Sequence, residues 1–318
     1  MATMTYKTAL DEAVAIEMRR DERVFYMSTA VPDSWVGEFG ADRVRRSPIS
    51  ENMMTGMALG AAGSGMRPVV NWRATTFTFV AFDQIVNHVA KLRYMVGGQA
   101  DFPILFRCYY MGGMRTAAQH TQSAYAMFAH VPGLKLVAPS NPADAMGLLR
   151  TGIRDNNPVV SFEAMRLYSV EGTVPEDHLV PLGVAATPRR GTDVTLVALG
   201  SMVSTALEAA DELAGEGVAV EVIDPRTLVP LDVATIRESV NRTGRLVVAD
   251  ESPPRCSMAA EIITTVVEDA DTFGALVAPA KRVTIADVPI PFSPPLEDHV
   301  LPGIGAVRTA IRQTLGEK

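Results

Sequence analysis

The sequence predicts an α/β protein of two domains, each with a mainly parallel sheet flanked by helices. Three observations carry this. Short β-branched or aromatic runs alternate with longer stretches of helical period. The runs are almost continuously apolar, which marks strands covered on both faces and therefore paired in parallel. The alternation fades after Glu163 into a stretch rich in proline, glycine and charge, then restarts. The 318 residues therefore divide as 1–170, a linker at 171–192, and 193–318, long enough for two cores.

From Thr5 to Arg19 apolar residues recur at helical spacing. Strand candidates follow at 24–29 (VFYMST), 67–72 (RPVVNW), 102–108 (FPILFRC), 134–139 (LKLVAP) and 158–163 (PVVSFE), with helices between them. One of those helices starts after Ser50, a natural N-cap approached by Pro48. Its Met53–Ala62 portion is small and apolar all round, the pattern of a buried helix. The second series comprises 194–200 (VTLVALG), a helix to about 216, 218–224 (VAVEVID), 245–250 (RLVVAD), a helix from about 258, 281–287 (KRVTIAD) and a last helix from about 303. No internal repeat or low-complexity segment interrupts it.

Composition narrows the function classes. A net charge of -7, spread along the chain without a basic run, argues against a nucleic-acid partner. No apolar segment approaches the length of a membrane span, and the amphipathic, acidic N-terminus is unlike a targeting peptide, so a cytoplasmic protein is expected. Cys108 and Cys256 lack metal or redox spacing and read as free thiols.

Ligands of open α/β sheets gather at the carboxyl ends of strands, and the unusual residues fall there: Glu51, Phe77, Arg107 to Arg115, and His120. A carboxylate at the head of an apolar helix is either a dipole-favoured residue reaching solvent or a desolvated acid with a proton-handling role. The run GMALGAAGSG at 56–65 is not a dinucleotide loop, because it lies within or at the end of a helix rather than between a strand and a helix. Four segments at strand ends suggest one shared cleft.

Longer motifs carry a family resemblance: PISE (48–51), FDQIVNHVAKLRYMVGGQ (82–99), AAQHTQS (117–123), FAHVPGLKLVAPSNPADA (128–145), GIRDNNPVVSFE (152–163), VIDPRTLVPLD (222–232), GRLVVADE (244–251), LED (296–298) and LPG (301–303). The chain resembles, over nearly its whole length, the beta subunits of thiamine-diphosphate-dependent 2-oxoacid dehydrogenases of the pyruvate dehydrogenase type, relatives of the second and third domains of transketolase. The resemblance implies a pyrimidine-binding domain followed by a transketolase C-terminal-like domain serving subunit association. It implies decarboxylation of a 2-oxoacid with acyl transfer to a lipoyl group. Glu51 would hydrogen-bond N1′ of the aminopyrimidine and favour the imino tautomer that deprotonates thiazolium C2. Phe77 would pack on that ring, Met53 would join the cofactor pocket, and His120 would handle protons or orient the acceptor. Asp155 and Asn157 match a loop that binds structural potassium in relatives.

Relatives bind the diphosphate and magnesium through a Gly-Asp-Gly signature that this chain lacks. The resemblance therefore implies an alpha subunit supplying the magnesium ligands in an alpha2beta2 assembly, and a lipoyl-domain acyltransferase or carrier protein as acyl acceptor. The chain also departs from the pattern: Ser28 and Thr29 replace an acidic pair, Val80 replaces a glutamine, Arg73 stands where an apolar residue is common, and CYYMGGM (108–114) and ESPPRCSMAAE (251–261) replace glycine-rich turns. Arg73 and Arg115, as substrate-binding candidates, would suit a more anionic substrate than pyruvate. The alternative reading is thus transketolase-like cleavage of a ketose phosphate, passing a two-carbon hydroxyacetyl unit to a lipoyl or acyl carrier. A noncatalytic assembly subunit is the alternative of another class.

Overall fold

The computed structural model describes residues 1–316. The chain forms two compact units: Met1–Met111 with Met127–Leu182, and Gly112–Ala126 with the chain from Gly183 onward. The two-domain α/β architecture expected from the sequence is present, with a short excursion of the chain into the second unit before that unit begins in earnest.

The first unit carries β1 (Ala2–Thr5), β2 (Val24–Ser28), β3 (Val44–Arg46), β4 (Arg67–Ala74), β5 (Leu105–Tyr110), β6 (Lys135–Val137), β7 (Val159–Ala164) and β8 (Glu171–Val174). Six of them run in the order β6-β7-β5-β4-β2-β3 with every neighbour parallel. β2 and β7 are buried along their whole length, as their apolar sequences require. β1 and β8 pair antiparallel in a separate ribbon.

Helices Tyr6–Arg20 and Pro142–Arg154 pack together and share a buried charge network. Glu17 is fully buried and accepts from Arg150 at 3.0 Å, Arg154 at 2.7 and 2.9 Å, and Arg20 at 2.6 Å. Burial alone would raise its pKa, and the three guanidinium groups outweigh that and hold it below the ordinary value. Such a network makes this helix pair intolerant of losing one partner.

The second unit carries β9 (Ala186–Arg189), β10 (Val194–Ala198), β11 (Val220–Asp224), β12 (Thr227–Val229), β13 (Leu246–Ala249) and β14 (Lys281–Val283). Its sheet order is β14-β13-β10-β11-β9, parallel except for β9. Helices Met202–Ala214 and Ile304–Leu315 pack on each other, and Ala206, Ala210, Val307 and Ile311 share one core with Leu196, Val222 and Val247 of the sheet.

The long apolar strands lie where the sequence puts them, whereas β1, β3, β8, β9 and β12 were not anticipated. These have three or four residues and mixed polar character, too short for a period of two to show. β8 and β9 lie within the stretch read as a linker. The 82–99 motif forms a π-helical segment at Gln84–Val89 and a short helix at Leu92–Met95 rather than one regular helix. Among the described residues no helix is long and apolar enough to cross a membrane.

Candidate active site

Glu51 is the first residue of helix Glu51–Gly63. Ser50 occupies the N-cap position, but its hydroxyl makes no capping bond. The inward stripe is Glu51, Met54, Thr55, Ala58 and Ala62, at helical spacing. The other side is open, with Asn52, Met57 and Gly60 exposed, so the helix is not buried all round as its composition suggested. Glu51 is only 5% exposed, and no described residue donates a hydrogen bond to its carboxylate.

The first turn is fixed through its main chain. Thr55 Oγ1 donates to the Glu51 carbonyl at 2.7 Å and accepts from Trp72 Nε1 at 3.0 Å. Trp72, on β4, stacks on Phe106 of β5 with ring centroids 4.0 Å apart. The start of the helix bearing the acid is thereby tied to two central strands. Met53 and Met57, on the open side, line a cleft of about 650 Å³ with Met27, Val44, Arg46 and Pro48. Neither Glu51 nor Phe77 lines that cleft.

β4 ends in an irregularity, its register with β5 shifting between Asn71 and Ala74. Arg73 takes φ 72°, the left-handed region, a conformation worth about 1–3 kcal/mol of strain for a non-glycine residue. Its N–H donates to Asn71 Oδ1 at 2.8 Å, and its guanidinium lies 5.7 Å from the Tyr109 ring centroid. The Arg73 side chain is exposed and pairs with no carboxylate among the described residues. The 3-10 turn Thr75–Ala81 follows, packs on helix Glu51–Gly63, and presents a half-buried Phe77. Val80, in the same turn, is 65% exposed.

His120 and Arg115 belong to the second unit. His120 is half-buried in helix Ala117–Thr121. The preceding turn has Gly113, Arg115 and Ala117 all at positive φ. Arg115 is already engaged: its guanidinium contacts Glu297 at 3.0 Å, Asp298 at 2.7 Å and the Pro294 carbonyl at 3.1 Å. Arg107, flagged in the same sequence segment, points to structure rather than a cleft. At 1% exposure within β5 it is bidentate to Glu163 of β7 at 2.6 and 3.0 Å, with Asp11 at 3.3 Å.

Asp155 and Asn157 also have partners. Asp155 accepts from Lys135 and from the Asn157 backbone and side-chain amides at 2.8 and 2.9 Å, while Asn157 Oδ1 accepts from Arg93 at 2.6 Å. Burial acts to raise the Asp155 pKa, and these donors outweigh it, leaving the carboxyl below its ordinary value. Among the described residues no group of three or more His, Cys, Asp or Glu side chains could hold a metal ion.

The structure thus groups Glu51, Met53, Arg73 and Phe77 in the first unit and places His120 and Arg115 in the second. Sequence reasoning missed Glu251 and Glu297. Both lie in motifs it singled out, VVADE and LED, yet their partners in 112–126 are too distant in sequence for spacing to reveal.

The family pattern described as "Transketolase, pyrimidine binding domain" matches residues 2–170, and "Transketolase, C-terminal domain" matches residues 183–307. The chain is similar to the acetoin:2,6-dichlorophenolindophenol oxidoreductase subunit beta of Bacillus subtilis, 44% identical over 97% of this chain and 96% of that one. It is 43% identical to the pyruvate dehydrogenase E1 component subunit beta of Rhizobium meliloti, covering 98% of this chain and 70% of the relative. The human mitochondrial counterpart is 39% identical over 98% and 90%. A solved structure titled "Split gene transketolase, inactive beta4 tetramer" shares the fold with TM-score 0.83 at 22% identity, over 99% of both chains.

Proposed function

This chain belongs to the transketolase family, spanning its pyrimidine-binding and C-terminal domains, and on that premise we propose that it is the beta subunit of a heteromeric thiamine-diphosphate enzyme that decarboxylates a 2-oxoacid and passes the acyl unit to a lipoyl group. One observation carries the reading: Glu51 is only 5% exposed at the start of a helix, and no described residue donates to its carboxyl group. A carboxyl held mostly away from bulk water and engaged by no described side chain is placed to exchange a proton with a bound ligand rather than with solvent.

Thiamine diphosphate, when bound, supplies the ring that stabilises a carbanion next to a cleaved carbonyl. Glu51 would share a proton with N1′ of the aminopyrimidine, its carboxyl donating to the neutral ring nitrogen and its carboxylate accepting from N1′–H in the imino form, away from bulk water. The half-buried Phe77 would offer an aromatic face to the same ring, and Met53, two residues after Glu51 on the same helix, an apolar contact to the cofactor. His120 handles a proton at the substrate or orients the acyl acceptor. Magnesium is held by the alpha subunit, since this sequence lacks the Gly-Asp-Gly signature. Because Lys135 and Arg93 engage the side-chain oxygens of Asp155 and Asn157, main-chain carbonyls are the proposed ligands for potassium in that loop.

A second reading rests on Arg73, an exposed cation held in a strained turn without a carboxylate partner, and on relatives named for acetoin, a hydroxyketone. On that reading the substrate is a ketol, with an aldehyde leaving in place of carbon dioxide. Where that ketol is a ketose phosphate, Arg73, rather than the already engaged Arg115, is the residue for its phosphate. The test is turnover by the chain assembled with its alpha subunit, thiamine diphosphate and magnesium, against 2-oxoacids, acetoin and ketose phosphates, with a lipoyl domain as acceptor. Carbon dioxide release from a 2-oxoacid supports the first reading. Aldehyde release from a ketol, with no 2-oxoacid turnover, overturns it in favour of the second.

A further inference from the structure

We propose that Glu297 is the positioning residue for His120, acting by clamping the turn that precedes it; the proposal rests on the reading of His120 as an active-site residue. The Glu297 side chain is fully buried at the start of helix Pro294–Val300. Its Oε1 accepts from the Gly113 amide at 2.9 Å, and its Oε2 accepts from the Arg115 amide and guanidinium, both at 3.0 Å. Two backbone amides of one turn thus converge on a single carboxylate, a geometry a merely space-filling residue does not supply.

That turn needs a clamp. Arg115 and Ala117 hold φ near +60° without glycine's freedom, a conformation that persists only where the surroundings over-determine it. Asp298 braces the same arginine from outside at 2.7 Å. On the near side, a Cβ on Gly112 would lie 1.6 Å from Glu251 Oε1, and that carboxylate is itself buried and bonded to Ser201 Oγ at 2.6 Å. Beyond His120, the Ser123 hydroxyl donates to the Glu251 carbonyl and the Tyr125 hydroxyl donates to Asp250. The five-residue helix bearing His120 is therefore bracketed on both sides by buried acids from one unit, with Glu297 nearest in sequence contact to its start.

The consequence is kinetic. Loss of the carboxylate lets the turn relax, which displaces the imidazole while leaving it chemically intact; a displacement of that kind costs about 10- to 100-fold in kcat. The experiment is a double-mutant cycle in the assembled enzyme, with Glu297→Gln, His120→Ala and the pair, measuring kcat, KM and thiamine diphosphate binding. The expected result is a fall in kcat for Glu297→Gln with KM and cofactor binding within about twofold, and no further fall when it is added to His120→Ala. Additive losses, or an unchanged kcat, overturn the positioning role. A His120→Ala enzyme with full turnover overturns both this role and the reading of His120. A measurement needing no variant is hydrogen exchange in the assembled wild-type enzyme. The Gly113 and Arg115 amides should be protected although they lie in a surface turn, and exchange at open-loop rates overturns the clamp.

Discussion

Glu51 and Arg115 illustrate what single residues disclose. Replacing Glu51 with Gln removes the proton-exchanging carboxyl but keeps the shape, so turnover of the assembled enzyme should fall by about 10²- to 10⁴-fold while size-exclusion chromatography still finds the heteromer. Full activity would remove Glu51 from the mechanism. The helix starting at Glu51 was legible from a serine, an acid and a following charge-free stretch of small and apolar residues, whereas whether the acid reached solvent or was desolvated stayed open. What was not legible is that Ser50 leaves the cap unmade and that the helix buries only one stripe, since composition cannot say which side meets a neighbour. The engagement of Arg115, a substrate-binding candidate from sequence, was illegible for a similar reason: its carboxylate partner lies 182 residues away.

Between elements, the junction of helix Glu51–Gly63 with β4 runs through one hydroxyl. Thr55→Val keeps the volume but leaves the buried Trp72 indole N–H without its acceptor, and should destabilise the chain by about 1–3 kcal/mol in urea denaturation. A variant as stable as wild type would mean the indole finds another partner. A second junction, from Lys135 at the head of β6 to the Asp155–Asn157 loop, is pH-dependent. The native state favours ionised Asp155, so this contribution is complete above the ordinary carboxyl value of 3.8 and is lost as pH falls through the lower native value. Asp155→Asn should flatten the acid limb of the stability profile below about pH 4, by about 1 kcal/mol or less for a partly exposed pair; an unaltered limb would assign acid sensitivity elsewhere. At this scale the long strands were readable from their apolar runs. The short edge strands were not, because pairing β1 with β8 depends on a partner more than 160 residues away.

For the whole molecule, the chain should bind thiamine diphosphate weakly or not at all by itself, and tightly in the presence of magnesium once the alpha subunit is added. Calorimetry on the isolated chain decides this, and tight magnesium-dependent binding without a partner would refute the divided site. The two α/β series and their order were legible at this scale, since each is written in contiguous sequence. The membership of Gly112–Ala126 in the second unit was not, because that segment sits between two strands of the first and looks like any other connection. This interleaving limits how the protein can be recombined. A graft that exchanges the C-terminal part at the 171–192 stretch would leave Gly112–Ala126 facing a foreign set of acids, with Glu251 and Glu297 gone from behind Gly112 and Gly113. Functional chimeras with relatives should therefore demand two exchanged segments, residues 112–126 and the part from 183 onward, hence three crossovers, so that natural exchange between these domains is constrained by a fifteen-residue segment far from the apparent boundary.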